Sequence, residues 1–330
     1  FGAATGIVGA SVTILGIMSA KTMNRAGYDV QLAAGTITAG GTLGILIPPS
    51  IMLVVMGPIL NIPVTDLFAA AIMPGLMLAA LYTGYTLIRC HLNPSLGPVV
   101  PEDLIPDSMR EVWIEFFKGL VPPVLLVGSS LGSILAGLAT PTEGAAMGAV
   151  GAIFLTLAYR KLTFKVLQDA LLKTLEITTL IMVLVCASNF FGAVFSRLGT
   201  PTMLTEYLMV LDLPPMVLLL MIMALIFLLA WPLEWVPIVL IIIPILMPLV
   251  VQILDQLELP LLWFAILVAV NLQTAWLSPP VALSAYFLKG VVPEWDLADI
   301  YKGMFQFMMI QVVGLSVIII FPKIVLWLPT

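Results

Sequence analysis

Charged residues are scarce in this sequence of 330 amino acids, since Asp, Glu, Lys and Arg together make up only 9%. An ordinary globular domain carries about 25%. Hydrophobic residues make up 61%, and several apolar runs approach the roughly 20 residues that cross a bilayer as a helix. This composition excludes a soluble enzyme, a disordered chain and a nucleic-acid-binding protein. It predicts an all-α polytopic membrane protein surrounded by lipid, with no nucleic acid among its partners.

Histidine and cysteine are almost absent, which removes several kinds of chemistry. The single histidine, His91, provides no HExxH zinc motif and gives little basis for a Ser-His nucleophile. Cys90 and Cys186 lie in separate segments, so they predict neither a disulfide framework nor a redox pair. We therefore expect no enzyme activity and no cofactor. The chain begins at Phe1 inside a glycine-rich apolar stretch, which we interpret as a fragment without its N-terminus.

The positive charges are distributed unevenly between the two sides of the predicted topology. If the polar turn at residues 21–29 faces the cytoplasm and the sides alternate at each crossing, eleven of the 13 Lys and Arg residues fall inside. Only Arg197 and Lys323 fall outside. This bias supports the order of crossings. It leaves open whether residues 215–254 form a re-entrant hairpin or two full helices, because both return the chain to the same side.

Two apolar segments interrupted by a Pro-Pro pair resemble each other. The residues 45–49 (ILIPP) match residues 276–280 (WLSPP) at an offset of 231, and small or polar residues precede each pair. The predicted topology gives the two segments opposite directions. This is the pattern of inverted repeats whose discontinuous helices meet near the bilayer midplane, as in ion-coupled transporters. Each segment also follows a pair of apolar arms, the first of which is truncated.

The interruptions predict an oxygen-rich site, because prolines inside a helix leave backbone carbonyls unpaired. Such carbonyls are tolerated in a membrane only inside protein or beside a polar cavity. With nearby hydroxyls and amides they suit Na⁺, while the N-termini of half-helices suit a substrate carboxylate. The alternative is that the prolines only kink packed helices. The hydroxyls of Thr42 and Thr274 could instead bond the preceding helical turn, and Gly41 and Gly44 could instead allow close helix packing.

Two acidic residues lie beside apolar segments. Glu143 follows the residues 140–142 (TPT), a helix-start signature, and we favour a role in offsetting the helix dipole. Glu234 lies at the tip of the second predicted hairpin, where it could organise the loop or shape a substrate-binding face.

The motifs together resemble the large membrane subunit (DctM-type) of tripartite ATP-independent periplasmic (TRAP) transporters. The resemblance covers essentially the whole chain, and the Leu-Glu-Trp and Asn-Leu-Gln-Thr variants are most similar to the mannitol/chloroaromatic branch. The tip of the first hairpin departs from the Ser/Asp-rich pattern of many members. The matching stretches are 25–29 (RAGYD), 40–50 (GGTLGILIPPS), 140–146 (TPTEGAA), 233–237 (LEWVP), 271–280 (NLQTAWLSPP) and 321–329 (FPKIVLWLP).

This resemblance implies a Na⁺-coupled secondary transporter that imports a small organic acid by an elevator mechanism. It implies two protein partners, namely a small four-helix membrane subunit (DctQ-type) and a periplasmic substrate-binding protein that delivers the substrate. It also implies a location in the cytoplasmic (inner) membrane of a bacterium or archaeon. Two alternatives stay open: a stand-alone carboxylate transporter coupled to Na⁺ or H⁺, and a proton-translocating membrane subunit.

The resemblance to TRAP large membrane subunits also divides the chain into four expected regions. Residues 1–57, with the truncated first hairpin and discontinuous helix, and residues 215–290, with the second pair, are expected to form the transport domain. Residues 58–214 are expected to hold scaffold spans and a cytoplasmic loop at 90–118, and residues 291–330 an amphipathic arm and the last span.

The candidate site residues lie at the hairpins and the interruptions. No catalytic residue is predicted, and the only metal expected is Na⁺ as coupling ion. The Na⁺-binding candidates are Thr5, Gly6, Gly41, Thr42, Gly44, Pro48, Asn271, Thr274, Ser278 and Pro279. The substrate-binding candidates are Ser50, Glu234, Trp235 and Gln273.

Overall fold

The computed structural model describes residues 6–99, 108–210 and 212–329, and within these ranges it contains helices and turns but no strand. Six helices are long and apolar enough to cross a membrane. The predicted all-α polytopic fold is confirmed. The six are Val64–Leu92, Met109–Leu135, Pro141–Ala158, Phe164–Arg197, Trp235–Leu257 and Leu297–Ile320.

Most of the described helices follow one another through short turns, and several are continued by tighter or wider helical turns. In chain order they are α1 (Val8–Leu15), α2 (Lys21–Arg25), α3 (Val30–Thr42), α4 (Ile51–Leu60), α5 (Val64–Leu92), α6 (Met109–Leu135), α7 (Pro141–Ala158), α8 (Phe164–Arg197), α9 (Thr200–Val210), α10 (Pro215–Ala230), α11 (Trp235–Pro237), α12 (Ile243–Leu257), α13 (Leu261–Leu272), α14 (Leu283–Val291), α15 (Leu297–Ile320) and α16 (Lys323–Leu326). The π-helical turns are Gly16–Ala20 and Ile238–Ile242, and the 3₁₀ turns are Leu43–Ile45, Pro94–Leu96 and Gln273–Trp276.

Helix α15 lies at the centre of the packed part of the molecule, and its closest neighbour is α3. Two glycines make this approach possible. A Cβ atom on Gly303 would overlap the carbonyl oxygen of Gln31, and one on Gly35 would lie 2.6 Å from the Phe307 ring. Small residues of this kind let helix backbones approach closely in a membrane, where apolar burial alone does not drive association.

The contacts of α15 also fix the directions of the two interrupted segments. Gln31 Nε2 donates to Asp299 Oδ1 at 3.1 Å, while Gly35 lies at Phe307 further along, so α3 runs parallel to α15. Trp263 Nε1 donates to the Ile318 carbonyl at 3.3 Å. Gln273, directly after the end of α13, accepts from Gln311, which precedes Ile318 on α15, so α13 runs antiparallel to α15. The two interrupted segments therefore run in opposite directions, in agreement with the predicted inverted arrangement.

Helices α6, α7 and α8 pack much less closely against the rest of the described chain. Only 6–11% of the residues in their most apolar stretches are buried, compared with 39% in α5 and α15. Helix α6 begins at Met109 and stays helical through Pro122 and Pro123. Residue 118, the expected end of the cytoplasmic loop, therefore lies inside a continuous helix, since backbone hydrogen bonding continues where the polarity of the sequence changes.

Candidate functional site

The first interruption lies between α3 and α4. After Thr42 the chain makes a 3₁₀ turn and becomes non-helical until Ser50, whose hydroxyl donates to the Ile45 carbonyl and accepts from the Leu53 amide at 3.3 Å. Ser50 thereby caps α4. The 13 residues of helix from Val30 to Thr42 extend about 20 Å, and the hydrocarbon core is about 30 Å thick. The interruption therefore lies near the middle of the membrane.

The second interruption, between α13 and α14, repeats the backbone hydrogen bonds of the first. In the first, the amides of Leu46 and Ile47 donate to the Leu43 carbonyl at 3.1 and 2.8 Å. In the second, the two amides located 231 residues later donate to the Thr274 carbonyl at 3.0 and 2.9 Å. Both Pro-Pro peptide bonds are cis. The predicted repeat thus extends to the main chain.

The shared hydrogen-bond pattern fixes the register of the repeat. Thr274 corresponds to Leu43, so the residue that matches Thr42 at an offset of 231 is Gln273. The two threonines therefore occupy neighbouring positions of the repeat and not the same one.

The hairpin arms cross between the two halves of the repeat. Helix α1 packs against α14, and a Cβ on Gly9 would lie 2.7 Å from the Phe287 ring. The π turn of the second hairpin contacts α4. Gly6 has a left-handed φ of 61°, and its Cβ would lie 3.1 Å from the Pro49 carbonyl oxygen. The described start of the first hairpin therefore reaches the first interruption.

Three predicted hydroxyl ligands are buried and bond the preceding turn. Thr42 donates to the Ala39 carbonyl at 2.8 Å, Thr274 to the Asn271 carbonyl at 2.6 Å, and Ser278 to the Thr274 carbonyl at 2.8 Å. Each bond uses the hydroxyl hydrogen, and an oxygen with two lone pairs still has accepting capacity. The hydroxyls thus bond the preceding helical turn, as the alternative interpretation expects. Their oxygens could still accept a contact from a cation.

The remaining Na⁺ candidates differ in their surroundings. Gly41 packs directly on Val12, where a Cβ would overlap the valine side chain, so close helix packing explains this glycine. Gly44 is buried in the 3₁₀ turn and Pro48 is buried after it, whereas Pro279 is exposed. Thr5 lies outside the described residues.

The amides at the second interruption form a fully buried group. Asn271 Nδ2 donates to the Met223 carbonyl of α10 at 2.8 Å, but its Oδ1 has no partner among the described residues. Gln273 Oε1 accepts from Gln311 Nε2 at 2.5 Å. Gln311 was not among the predicted site residues. An amide within the mostly apolar helix α15 was the available signal, because such a group is costly in hydrocarbon unless it is bonded.

The second hairpin carries the other two substrate candidates at its tip. Trp235 is buried, and Glu234 is half-buried at the N-cap position of α11. The carboxylate of Glu234 has no salt bridge among the residues described. The preceding arm, α10, contacts the 3₁₀ turn of the second interruption, which places this hairpin beside the amide group.

The structure confirms the helix-start interpretation of Glu143. The Thr140 backbone N–H and hydroxyl donate to Glu143 Oε2 at 2.8 and 2.9 Å, and the Glu143 N–H donates to the Thr140 hydroxyl at 3.3 Å. This is a capping box at the start of α7.

Comparison with known proteins identifies the family. The family model described as "Tripartite ATP-independent periplasmic transporter, DctM component" matches residues 1–324. The chain belongs to the DctM family. It is therefore a large membrane subunit of a TRAP transporter, located in the cytoplasmic (inner) membrane, and not an enzyme. The mannitol/chloroaromatic branch stays a prediction.

Three curated relatives illustrate the range of named substrates. The sialic acid TRAP transporter permease protein SiaT of Haemophilus influenzae is 26% identical over 96% of this chain and 49% of its own length. The sialic acid large permease protein SiaM of Vibrio cholerae is 28% identical over 96% of the chain and 71% of its own length. The C4-dicarboxylate large permease protein DctM of Pseudomonas aeruginosa is 29% identical over 100% and 74%. The chain thus spans about half the length of the first relative.

Proposed function

We propose that this subunit uses a Na⁺ gradient to import a small organic acid by an elevator mechanism. The observation that carries the proposal is the pair of oppositely directed interruptions at mid-depth, which share one backbone hydrogen-bond pattern. Transporters with inverted repeats bind coupling ions and substrate at such discontinuous helices. The hairpins and interrupted helices, residues 1–57 and 215–290, would move as the transport domain.

The first Na⁺ site would form where the first hairpin meets the first interruption. Gly6 approaches the Pro49 carbonyl, and the buried Thr42 hydroxyl retains accepting capacity. Backbone carbonyls near Gly44 and Pro48 would complete the oxygen set, with Gly41 acting through its close packing. Thr5 stays a candidate at the same hairpin. The corresponding ligands of the second site would be Asn271 Oδ1, Thr274, Ser278 and the backbone at Pro279.

The substrate carboxylate would lie near the positive end of α4. The four N-terminal amides of a helix lack intrahelical partners and attract an anion, and Ser50 caps this end. Gln273, Trp235 and Glu234 would line the opposite side, with Glu234 shaping the face through its position at the hairpin tip. Relatives whose names specify sialic acid and C4-dicarboxylates support an organic acid as the substrate class.

The proposal includes two protein partners, a small four-helix membrane subunit and a periplasmic binding protein that delivers the substrate. The exposed apolar faces of α6, α7 and α8 support a scaffold that contacts lipid and the small subunit. Residues 58–214 would supply most of this scaffold.

Uptake in proteoliposomes tests the proposal. The complete transporter is reconstituted with its binding protein, and uptake of labelled sialic acid and a C4-dicarboxylate panel is measured under an imposed Na⁺ gradient or an imposed pH gradient. We expect uptake only with the Na⁺ gradient and only with the binding protein. Uptake driven by the pH gradient alone would support the H⁺-coupled alternative, and uptake without the binding protein would support a stand-alone transporter.

A further inference from the structure

Helix α15 carries two side-chain amides, Gln306 and Gln311, and the second of them reaches the second interruption. Gln311 lies in the second half of this helix and is fully buried. Its Nε2 donates to Oε1 of Gln273, also fully buried, at 2.5 Å. The bond joins two side chains 38 residues apart in the sequence. The last span thereby contacts the 3₁₀ turn that follows α13.

The bonding of this pair is incomplete. Gln311 Oε1 and Gln273 Nε2 have no other partner among the described residues. If both amide groups were turned over, each would still have one atom bonded and one atom free. Two leucines or methionines would fill the same space without burying unpaired polar atoms. Stability of the fold alone therefore does not explain why two glutamines meet here.

The interruption is held from two sides, by two different helices. On one side the Asn271 amide donates to the Met223 carbonyl of α10. On the other side Gln311 of α15 holds Gln273. The same helix α15 packs tightly on α3 through Gly303 and Gly35. Helix α15 thus contacts both interrupted segments, as helix α5 also does.

We propose that Gln311 is a positioning residue for substrate binding, which acts by fixing the side-chain amide of Gln273. This inference deepens the proposed function and rests on it, because Gln273 is there assigned to the substrate. Without the Gln311 amide, Gln273 would adopt other rotamers, and its free N–H group would no longer point in one direction. The loss would weaken substrate binding and leave the Na⁺ ligands at the first interruption in place.

The test is a double-mutant cycle with size-matched substitutions, Gln311→Met, Gln273→Met and the double variant, in the reconstituted complete transporter. We expect each single variant to raise the substrate KM by about three- to tenfold, the range for one hydrogen bond. The double variant should match the singles, because the two side chains act as one unit. The Na⁺ concentration for half-maximal uptake and the maximal rate per reconstituted protein should stay within about twofold of wild type.

Gln306→Met is the matched control on the same helix. Gln306 Oε1 accepts from the Tyr85 hydroxyl at 2.9 Å, so this variant also removes a side-chain hydrogen bond from α15. It should leave the substrate KM unchanged. An unchanged KM in Gln311→Met, or KM effects that multiply in the double variant, would overturn the positioning role.

Hydrogen–deuterium exchange provides a readout that does not depend on the coupling ion. Peptides covering residues 271–282 should exchange faster in Gln311→Met than in wild type or Gln306→Met, whereas equal exchange in all three would contradict the inference. Uptake driven by H⁺ would refute only the Na⁺ coupling, because the KM cycle and the exchange comparison can still be read with that driving force. A Gln311→Met protein that fails to accumulate is replaced by Gln311→Leu in the same cycle.

Discussion

Two regions of this subunit are similarly apolar but differ in packing: the helices around α15 pack closely on one another, and helix α6 does not. In the bundle around α15, glycines bring helix backbones together, and the threonine and asparagine side chains of the interruptions are fully buried. In α6, Gly128 and Gly132 have nothing within 4 Å of a built Cβ. Apolar composition therefore marks both regions as membrane segments. Small residues and bonded polar groups mark the region where helices pack on protein and not on lipid.

The Pro-Pro pairs show the same contrast. Pro122 and Pro123 lie inside the continuous helix α6, whereas the pairs at 48–49 and 279–280 follow 3₁₀ turns and end their helices. At the first interruption the Ser50 hydroxyl bonds the Ile45 carbonyl, which Pro49 leaves without its helical partner, and at the second the Ser278 hydroxyl bonds the Thr274 carbonyl. Prolines alone thus do not open a membrane helix. A membrane helix is interrupted where other buried groups can form hydrogen bonds with its unpaired backbone atoms.

The largest expected effect comes from adding bulk where the packed region is tightest. Gly303→Val would drive a side chain into the Gln31 backbone, so we expect no folded protein in the membrane fraction. Gly132→Val in α6 is the matched control and should accumulate like wild type, as measured by immunoblot and detergent size exclusion. Normal accumulation of Gly303→Val would show that the two regions do not differ in packing.

The second prediction compares the proline pairs. The double variant Pro279→Ala/Pro280→Ala allows α13 and α14 to form one continuous helix, which removes the carbonyl arrangement of the second interruption. Uptake should therefore fall below detection, while the protein still accumulates in the membrane. The double variant Pro122→Ala/Pro123→Ala should transport normally, because that helix is already continuous. Equal uptake by the two double variants would contradict the distinction.

The third prediction concerns the hydroxyls proposed to face Na⁺. Thr42→Val and Thr274→Val keep the side-chain shape and remove the oxygen, so each should raise the Na⁺ concentration for half-maximal uptake by about three- to tenfold. Thr38→Val is the control one turn earlier on α3, where the buried hydroxyl also bonds the preceding turn, at 2.7 Å. If all three variants respond alike, the hydroxyls serve the helix and not the ion.

The smallest effect is expected at Glu143. Glu143→Gln retains a side chain that can complete the capping box of α7, so uptake should equal that of wild type. Glu143→Ala removes the acceptor of the Thr140 hydrogen bonds and should lower the thermal midpoint slightly without changing the substrate KM. A complete loss of uptake in Glu143→Gln would instead identify this carboxylate as part of the transport path.

Several features could be predicted because they depend on residues close together in the chain. Apolar runs define the spans, since length and composition alone decide whether a helix can cross the membrane. The repeat at 45–49 and 276–280 is visible as an identical Pro-Pro position, and the capping box needs only Thr140 and Glu143. Local chemistry determines each of these features.

Other features were decided only by the tertiary structure. Gln31 and Asp299 are 268 residues apart, and nothing near either residue specifies the other. The fit of Gly41 on Val12, the meeting of Gln273 with Gln311, and the place of α15 against both interrupted segments arise in the same way. The sequence determined that this protein would cross the membrane and where its helices would open. Packing decided which distant side chains would meet at the openings, because a helix's apolar surface is compatible with many neighbours and only close fit and hydrogen bonding select among them.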